Sequence, residues 1–415
     1  MMTNASSAAR LPKSILHVIA SCDPGGGGPI EGVRLLGRAF AARGVRQELL
    51  TLDTPDMPWV ADFPAPVHAM GQGATRSGLI GRARAYLAGA PEAVRWLRDH
   101  ARDYDGVIVD GLWNYSTRVA RLALPDAGVP YITFTHGMLD PWFARTYPVK
   151  HLAKRMLWHV NEGVLLRGAS AVAFTCEQER ILARRSFAPW GMREAVVGFG
   201  TSAPPPEHPG MIPAFRAMLP RLGDRPYLLF MSRIHEKKGC DVLIAAFAQI
   251  AQAFSETDLV IAGPGEPGLV GALQRQADAA GVAGRIHWPG MLSGDAKWGA
   301  LYGCEAMTLS SHQENFGVIV VEALACGRRV VISDQVNIHD EVRAAKAGFV
   351  GPDTVDGTAP QLSEALRQTA TERAAMERRA SALFAERFEM GRTADRLLQI
   401  IADAAAGRAL PRAER

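Results

Sequence analysis

The chain reads as two doubly wound α/β domains, each a parallel sheet covered by helices, and three features of the sequence carry that reading. Short β-rich runs alternate with longer amphipathic stretches along the whole chain, the order that winds a parallel sheet. Runs that read as continuous Ile, Val and Phe are buried on both faces, as parallel strands are. The pattern stops at a Pro- and Gly-rich stretch, 199–212, with Ala203-Pro204-Pro205-Pro206 and Pro209-Gly210, and then restarts. Residues 1–198 are expected to form the first domain and 199–212 a stiff linker. Residues 213–388 then form the second domain, and 389–415 a final helical segment that closes that domain or crosses back to the first.

In the first domain strands are expected at 15–20, 48–52, 106–109, 131–135, 171–174 and 195–197, with helices over 30–42, 91–101 and 150–166 between them. In the second, strands are expected at 227–231, 259–262, 285–288, 306–309 and 329–332, each followed by a helical stretch. No sequence repeat relates the two halves. The 415 residues suffice for two to three domains at about 150 residues each, and 48% hydrophobic content excludes wholesale disorder.

The charge balance, +4 with a pI of about 8.9, is too mild to demand nucleic acid or an anionic membrane as partner. Five cysteines lie far apart with no C-x-x-C, so zinc, redox and disulfide-framework readings lack support and a reducing compartment fits. Arg10 and Lys13 precede the run 15–20, which ends Ile19-Ala20-Ser21-Cys22 like a lipoprotein cleavage box. The run is shorter than a secretory core of about 7–15 residues, and His17 interrupts it, so it is read as a buried first strand. No stretch reaches the ~18 apolar residues of a membrane span. A cytoplasmic protein is expected.

Ligands of open α/β sheets bind beyond the carboxyl ends of the strands, so the loops after strands are where chemistry is sought. The first is Asp23-Pro24-Gly25-Gly26-Gly27-Gly28-Pro29. It fits neither G-x-G-x-x-G in any register nor a Walker loop, since the chain has no Gly-Lys pair. Its glycines present bare backbone to a close ligand, or form a merely flexible turn. The second is Thr135-His136-Gly137-Met138, a histidine at the end of a buried strand. The third, Met231 to Gly239, brackets a short turn with Arg233 and Lys238 before an apolar helix, a pattern that suits a diphosphate.

The fourth loop is Ser310-Ser311-His312-Gln313-Glu314-Asn315-Phe316-Gly317, ahead of an apolar helix that carries Glu322. Glu322 falls roughly 8 Å along the axis from the helix start. A carboxylate amid Val318–Leu324 is seldom buried without a partner.

These residues resemble a known family. Glu314 and Glu322 spell E-x(7)-E, here E-N-F-G-V-I-V-V-E-A. With S-R-I-H-E-K-K-G upstream and I-A-G-P-G-E between, the second domain resembles the family-four retaining glycosyltransferases of the GT-B fold, whose Rossmann-like domains face a cleft. The match covers about residues 225–350. The first domain resembles it more loosely, through Gly25–Gly28 and His136-Gly137-Met138-Leu139-Asp140-Pro141-Trp142, a run seen among enzymes that build bacterial surface polysaccharides.

By that resemblance the donor is a nucleotide sugar, no cofactor is needed, and a hexose-type sugar passes from a UDP- or GDP-sugar to a glycan. Arg233 and Lys238 would hold the diphosphate and offset charge on the leaving nucleotide, with Glu322 on the ribose hydroxyls. Glu314 would lie by the transferred sugar, where the amides of Asn315, Phe316 and Gly317 touch sugar and phosphate. His136 would reach the sugar from the other domain, and Gly26, Gly27 and Gly28 would leave room beside the phosphates. Such catalysis is electrostatic and independent of metal. Asp103-Tyr104-Asp105 spells the metal motif D-x-D but precedes its strand rather than following it. A same-fold epimerase and a two-domain binding protein remain alternatives.

On the acceptor side, the stretch 143–167 is basic and amphipathic. It suits either an ordinary helix with a solvated face or one that lies on an anionic membrane. The second would place the protein peripherally on the inner membrane face, with a polyprenyl-diphosphate-linked glycan as acceptor.

Overall fold

A computed structural model describes residues 10–71 and 91–413. It divides into unit one, Met1–Gly200 with Met390–Arg415, and unit two, Thr201–Glu389. The stretch read as a linker therefore lies largely in unit two, where Met211–Ala217 is already helical.

Unit one holds a parallel sheet of seven strands: β1 (Ser14–Val18), β2 (Arg46–Thr51), β3 (Val67–Ala69), β4 (Gly106–Asp110), β5 (Tyr131–Phe134), β6 (Ala171–Phe174) and β7 (Glu194–Val196). Their order is β3-β2-β1-β4-β5-β6-β7. β1, β4, β5 and β6 are buried along their whole length, which is why they read as unbroken apolar runs. β3 is only half-buried. That short edge strand carries no such run, so the sequence does not announce it.

Unit two repeats the topology with β8 (Tyr227–Met231), β9 (Asp258–Ala262), β10 (Ile286–Gly290), β11 (Ala306–Leu309), β12 (Val330–Ser333) and β13 (Gly348–Gly351), in the order β10-β9-β8-β11-β12-β13. Strand order reverses between β1 and β4 in one sheet and between β8 and β11 in the other. These switch points are where crevices open at the carboxyl ends of the strands.

The helices that matter for the site are α1 (Gly28–Ala41), α2 (Tyr115–Ala123), α3 (Pro148–Leu157), α4 (Gly163–Gly168) and α5 (Glu177–Ala183) in unit one. Unit two contributes α6 (Cys240–Ile250), α7 (Gly294–Gly303) and α8 (Val318–Ala325). The single helix expected over 150–166 is a correction: a wider π turn at Trp158–Glu162 separates α3 from α4. Its cause is local. Trp158 is fully buried, stacked on Phe187 and Trp190. The wider turn also brings Asn161 and Glu162 inward, where Glu162 accepts hydrogen bonds from Thr117 Oγ1 at 3.2 Å and Asn161 Nδ2 at 3.1 Å.

The last helix, α9 (Met390–Ala405), belongs to unit one and buries Met390, Thr393, Ala394, Leu397, Leu398, Ile401 and Ala402, one stripe at helical spacing. Ile401 packs so closely on the start of β4 that a Cβ on Gly106 would lie 2.6 Å from its Cγ2. Arg43 donates to the Asp395 carboxylate and to the Gly391 carbonyl, which fixes the near end.

Candidate active site

In unit two the strand ends meet around close backbone approaches. Gly263, after β9, has φ +135, and a Cβ there would sit 1.8 Å from the Ser232 carbonyl oxygen. Ile234 N–H donates to Pro264 O at 2.7 Å, so the Ser232-Arg233-Ile234 turn and the Gly263-Pro264-Gly265 turn form one ledge. Gly239 (φ +64) abuts the Ser310 carbonyl in the same way, at 2.0 Å from a built Cβ. His312 N–H donates to Lys237 O at 2.9 Å. These contacts place the turn after β8 against the loop after β11, across the switch point.

On that ledge Lys238 is buried and forms an ion pair with Glu314. Arg233 is exposed and makes no hydrogen bond or ion pair among the described residues. Gly317, φ +75, caps α8, whose first-turn amides have no acceptor within the helix and whose dipole favours an anion. Asn315 Oδ1 accepts from Asn337 Nδ2 at 3.3 Å. The Phe316 ring is buried edge-on to Phe388. Glu322 is buried in α8, and Lys297 Nζ of α7 donates to its Oε1 at 2.7 Å. The partner that a carboxylate in an apolar helix requires is therefore Lys297, which the sequence did not name.

In unit one His136 follows β5 in the left-handed region, φ +46, ahead of Gly137 at φ +75. A non-glycine residue there stores about 1–3 kcal/mol of strain. Glu179 of α5 holds the turn: its carboxylate accepts from Gly137 N–H at 2.6 Å, Thr135 Oγ1 at 2.5 Å and Thr175 N–H at 2.7 Å.

His136 Nε2 lies 3.2 Å from Asp110 Oδ1, and His17 Nδ1 lies 2.7 Å from Asp110 Oδ2. One buried carboxylate, at the end of β4, thus receives two imidazoles across the β1/β4 switch point. Burial pushes the Asp110 carboxyl up, but the charge and hydrogen bonds of His17 and His136 outweigh it and hold it below the usual aspartate range. Because the carboxylate accepts, His136 presents a proton to it on Nε2. His17 Nε2 is buried with no hydrogen-bond partner among the described residues.

The glycine loop is a short 3-10 turn, Pro24–Gly26, in which the Asp23 carboxylate accepts from Gly25 N–H at 2.7 Å. Gly27 has φ +78, and no atom lies within 4 Å of a Cβ built on Gly27 or Gly28. Open space, rather than packing, surrounds this backbone; Gly26 would meet only Ile30, at an ordinary 3.5 Å. Asp105 of the D-x-D run accepts from Lys13 N–H, Ser14 N–H and Ser14 Oγ, and Asp103 pairs with His100. Both tie structure together. All five cysteines are buried, and burial above all pushes the Cys22, Cys240, Cys304 and Cys326 thiols up to about 12, away from thiolate chemistry.

Comparison with known proteins agrees with this geometry. Residues 212–382 match the family model "Glycosyl transferases group 1", and residues 27–200 match the "Glycosyl transferase 4-like domain". A D-inositol 3-phosphate glycosyltransferase of Xylanimonas cellulosilytica is 30% identical over 318 residues, 71% of this chain and 72% of that one. The 2-deoxystreptamine glucosyltransferase of Streptomyces kanamyceticus is 27% identical over 316 residues, covering 71% and 78%.

Among solved structures, HepE of Anabaena in complex with UDP and glucose superimposes with a TM-score of 0.70 at 19% identity, over 93% of this chain and 98% of that one. Sucrose-phosphate synthase of Thermosynechococcus elongatus gives 0.73 at 19%, over 95% and 100%. With two doubly wound sheets in the right order and both family models matched along its length, the chain belongs to the family-four, group 1 glycosyltransferases of the GT-B fold.

Proposed function

We propose that this glycosyltransferase moves a hexose-type sugar from a UDP- or GDP-sugar to a glycan or lipid-linked glycan, with retention of configuration and without a metal ion. The observation that carries the reading is the buried Lys238–Glu314 ion pair on the same turn as Arg233, which is exposed and unpaired among the described residues, at the β8/β11 switch point. Arg233 and Lys238 lie on one turn, and Lys238 pairs with the loop that leads into the α8 N-terminus; in this reading they stabilise the charge that develops on a leaving nucleotide. That the relative HepE has been solved with UDP-glucose supports the nucleotide-sugar donor.

In this reading Lys238 and Arg233 take the phosphate oxygens, and the amides of Asn315, Phe316 and Gly317 take phosphate and sugar hydroxyls. Glu314, oriented by Lys238, accepts from a sugar hydroxyl, and Glu322, held by Lys297, accepts from the ribose. His136, its ring fixed by Asp110, reaches the sugar. The open backbone of Gly26, Gly27 and Gly28 admits the phosphates and acceptor. Front-side attack within an ion pair then preserves the anomeric configuration.

Thermal melting against UDP, GDP, ADP and NAD tests the donor. Ligand at about 100 times its dissociation constant adds roughly 2.7 kcal/mol of stability. One nucleoside diphosphate should raise the midpoint, and Arg233→Ala should weaken that shift while melting normally without ligand. A shift with NAD alone, or with none of the four, would defeat the reading.

A further inference from the structure

Outside the site, one surface of unit one departs from ordinary solvation. Of the eight exposed large apolar side chains among the described residues, five fall within residues 147–160. Val149 is 82% exposed, Leu152 62%, Met156 73% and Val160 61%. Their spacing of three, four and four residues puts them on one face of α3 and the turn that follows, while Trp158 anchors the opposite side in the core. This is an amphipathic helix laid with its apolar stripe outward, and solvent gives no reason for such a stripe.

The charges around the stripe have one sign. Residues 141–161 contain Arg145, Lys150, Lys154 and Arg155 with His151 and His159, and no Asp or Glu. Lys150 flanks the stripe on one side, its ammonium 4.9 Å from the centre of the Tyr147 ring. On the other side His151, Arg155 and His159 recur every four residues. That second row opens into a pocket of about 340 Å³ lined by His151, Arg155, Trp158, His159, Ser186, Phe187 and Ala188. The pocket is therefore lined by Arg155, two imidazoles and an aromatic wall, with no acid in its lining.

We propose that this face docks on an anionic lipid bilayer. Val149, Leu152, Met156 and Val160 enter the acyl boundary, and a lipid phosphate sits in the pocket of His151, Arg155 and His159. Charge complementarity selects the bilayer over a second copy of the chain: the face is uniformly cationic, so two copies placed face to face would repel. An apolar stripe bordered by cations is the pattern that membrane-surface helices share. The proposal stands on this surface alone and does not depend on which sugar is transferred.

The test is co-sedimentation of the full chain with vesicles of phosphatidylcholine alone and with about one third phosphatidylglycerol. The bound fraction should rise at least tenfold with the anionic lipid and fall as salt is raised to about 0.5 M. Leu152→Ser with Met156→Ser should reduce binding at every salt concentration, and Arg155→Glu should reduce it mainly at low salt. All three substitutions lie on exposed positions, and an unchanged nucleotide-dependent melting shift would certify the fold. Equal binding to both vesicle types would overturn the proposal, as would wild-type binding by the double variant. Sedimentation velocity is the second arm: a dimer that L152S/M156S dissociates would assign the stripe to a second copy instead. Inorganic phosphate that protects the protein from vesicle binding only through ionic strength, as chloride does, is the expected control. Phosphate protection well beyond that of chloride, with no binding to vesicles, would assign the pocket to a free anion and refute bilayer docking.

Discussion

Asp110 offers the most quantitative handle on unit one. Asp110→Ala removes the acceptor of both His17 Nδ1 and His136 Nε2, and His17 already has a second buried nitrogen without a partner. Deleting one member of a buried hydrogen-bonded ion network destabilises by about 3–5 kcal/mol. For a unit of ~200 residues, at about 2–4 °C per kcal/mol, the midpoint of thermal unfolding should fall by about 6–20 °C. Asp110→Asn keeps one acceptor and offers an amide donor to the other ring, so it should lose only about 1–3 kcal/mol.

The pH dependence has a definite sign. The folded carboxyl titrates below its ordinary range, so its stabilisation is complete above the unfolded value of about 3.9 and fades as pH falls further. The gap between wild type and Asp110→Asn should therefore close in acid. Scanning calorimetry or circular dichroism from neutral pH down to about pH 3 measures this directly. A midpoint for Asp110→Ala within about 2 °C of wild type would refute the argument, as would a gap that stays constant into acid.

Three further outcomes are expected. Lys238→Ala, which strips the cation from Glu314, should lower turnover by two orders of magnitude or more; steady-state kinetics near the wild-type kcat would contradict the assignment. Lys297→Met leaves Glu322 without its cation, and kinetics should show the donor KM raised about tenfold with kcat little changed, the signature of lost ground-state binding. Gly263→Ala must fit a Cβ 1.8 Å from the Ser232 carbonyl at a φ of +135. The strain, about 1–3 kcal/mol before the loops shift, should appear as a lower denaturant midpoint, and an unchanged midpoint would show the ledge to be pliable.

Much of the architecture was legible because each central strand is sealed on both faces and so leaves an unbroken apolar run, as in Gly106–Asp110. Edge strands such as Val67–Ala69 and Gly348–Gly351 carry no such run and were not legible. The site divided similarly. Arg233, Lys238, Glu314 and Glu322 are close in sequence to strand ends and apolar helices, so their spacing betrays them. Their partners do not share that neighbourhood: Lys297 sits on a different helix, and His17 is 93 residues from Asp110. The one available hint for each was physical rather than positional. Glu322 required a cation, and Asp110 ends a strand that is otherwise wholly apolar. The helix expected over 150–166 failed because nothing in its pattern shows that Trp158 would be drawn into the core at the expense of regular hydrogen bonding.

Unit one is discontinuous in the chain, and that has a consequence for biosynthesis. Thr201 and Glu389, the ends of unit two, lie side by side in a parallel bridge, with Thr201 N–H donating to Phe388 O at 3.0 Å. Unit two is therefore complete as soon as residue 389 leaves the ribosome, while unit one still lacks α9. Until that helix arrives, the surface that Leu397 and Ile401 cover at the start of β4 stands open. The nascent chain thus finishes its inserted unit before the one that surrounds it. A chain cut between residues 390 and 396 keeps an intact second unit but lacks Leu397 and Ile401, a species that chaperones and proteases can recognise by its bare apolar flank.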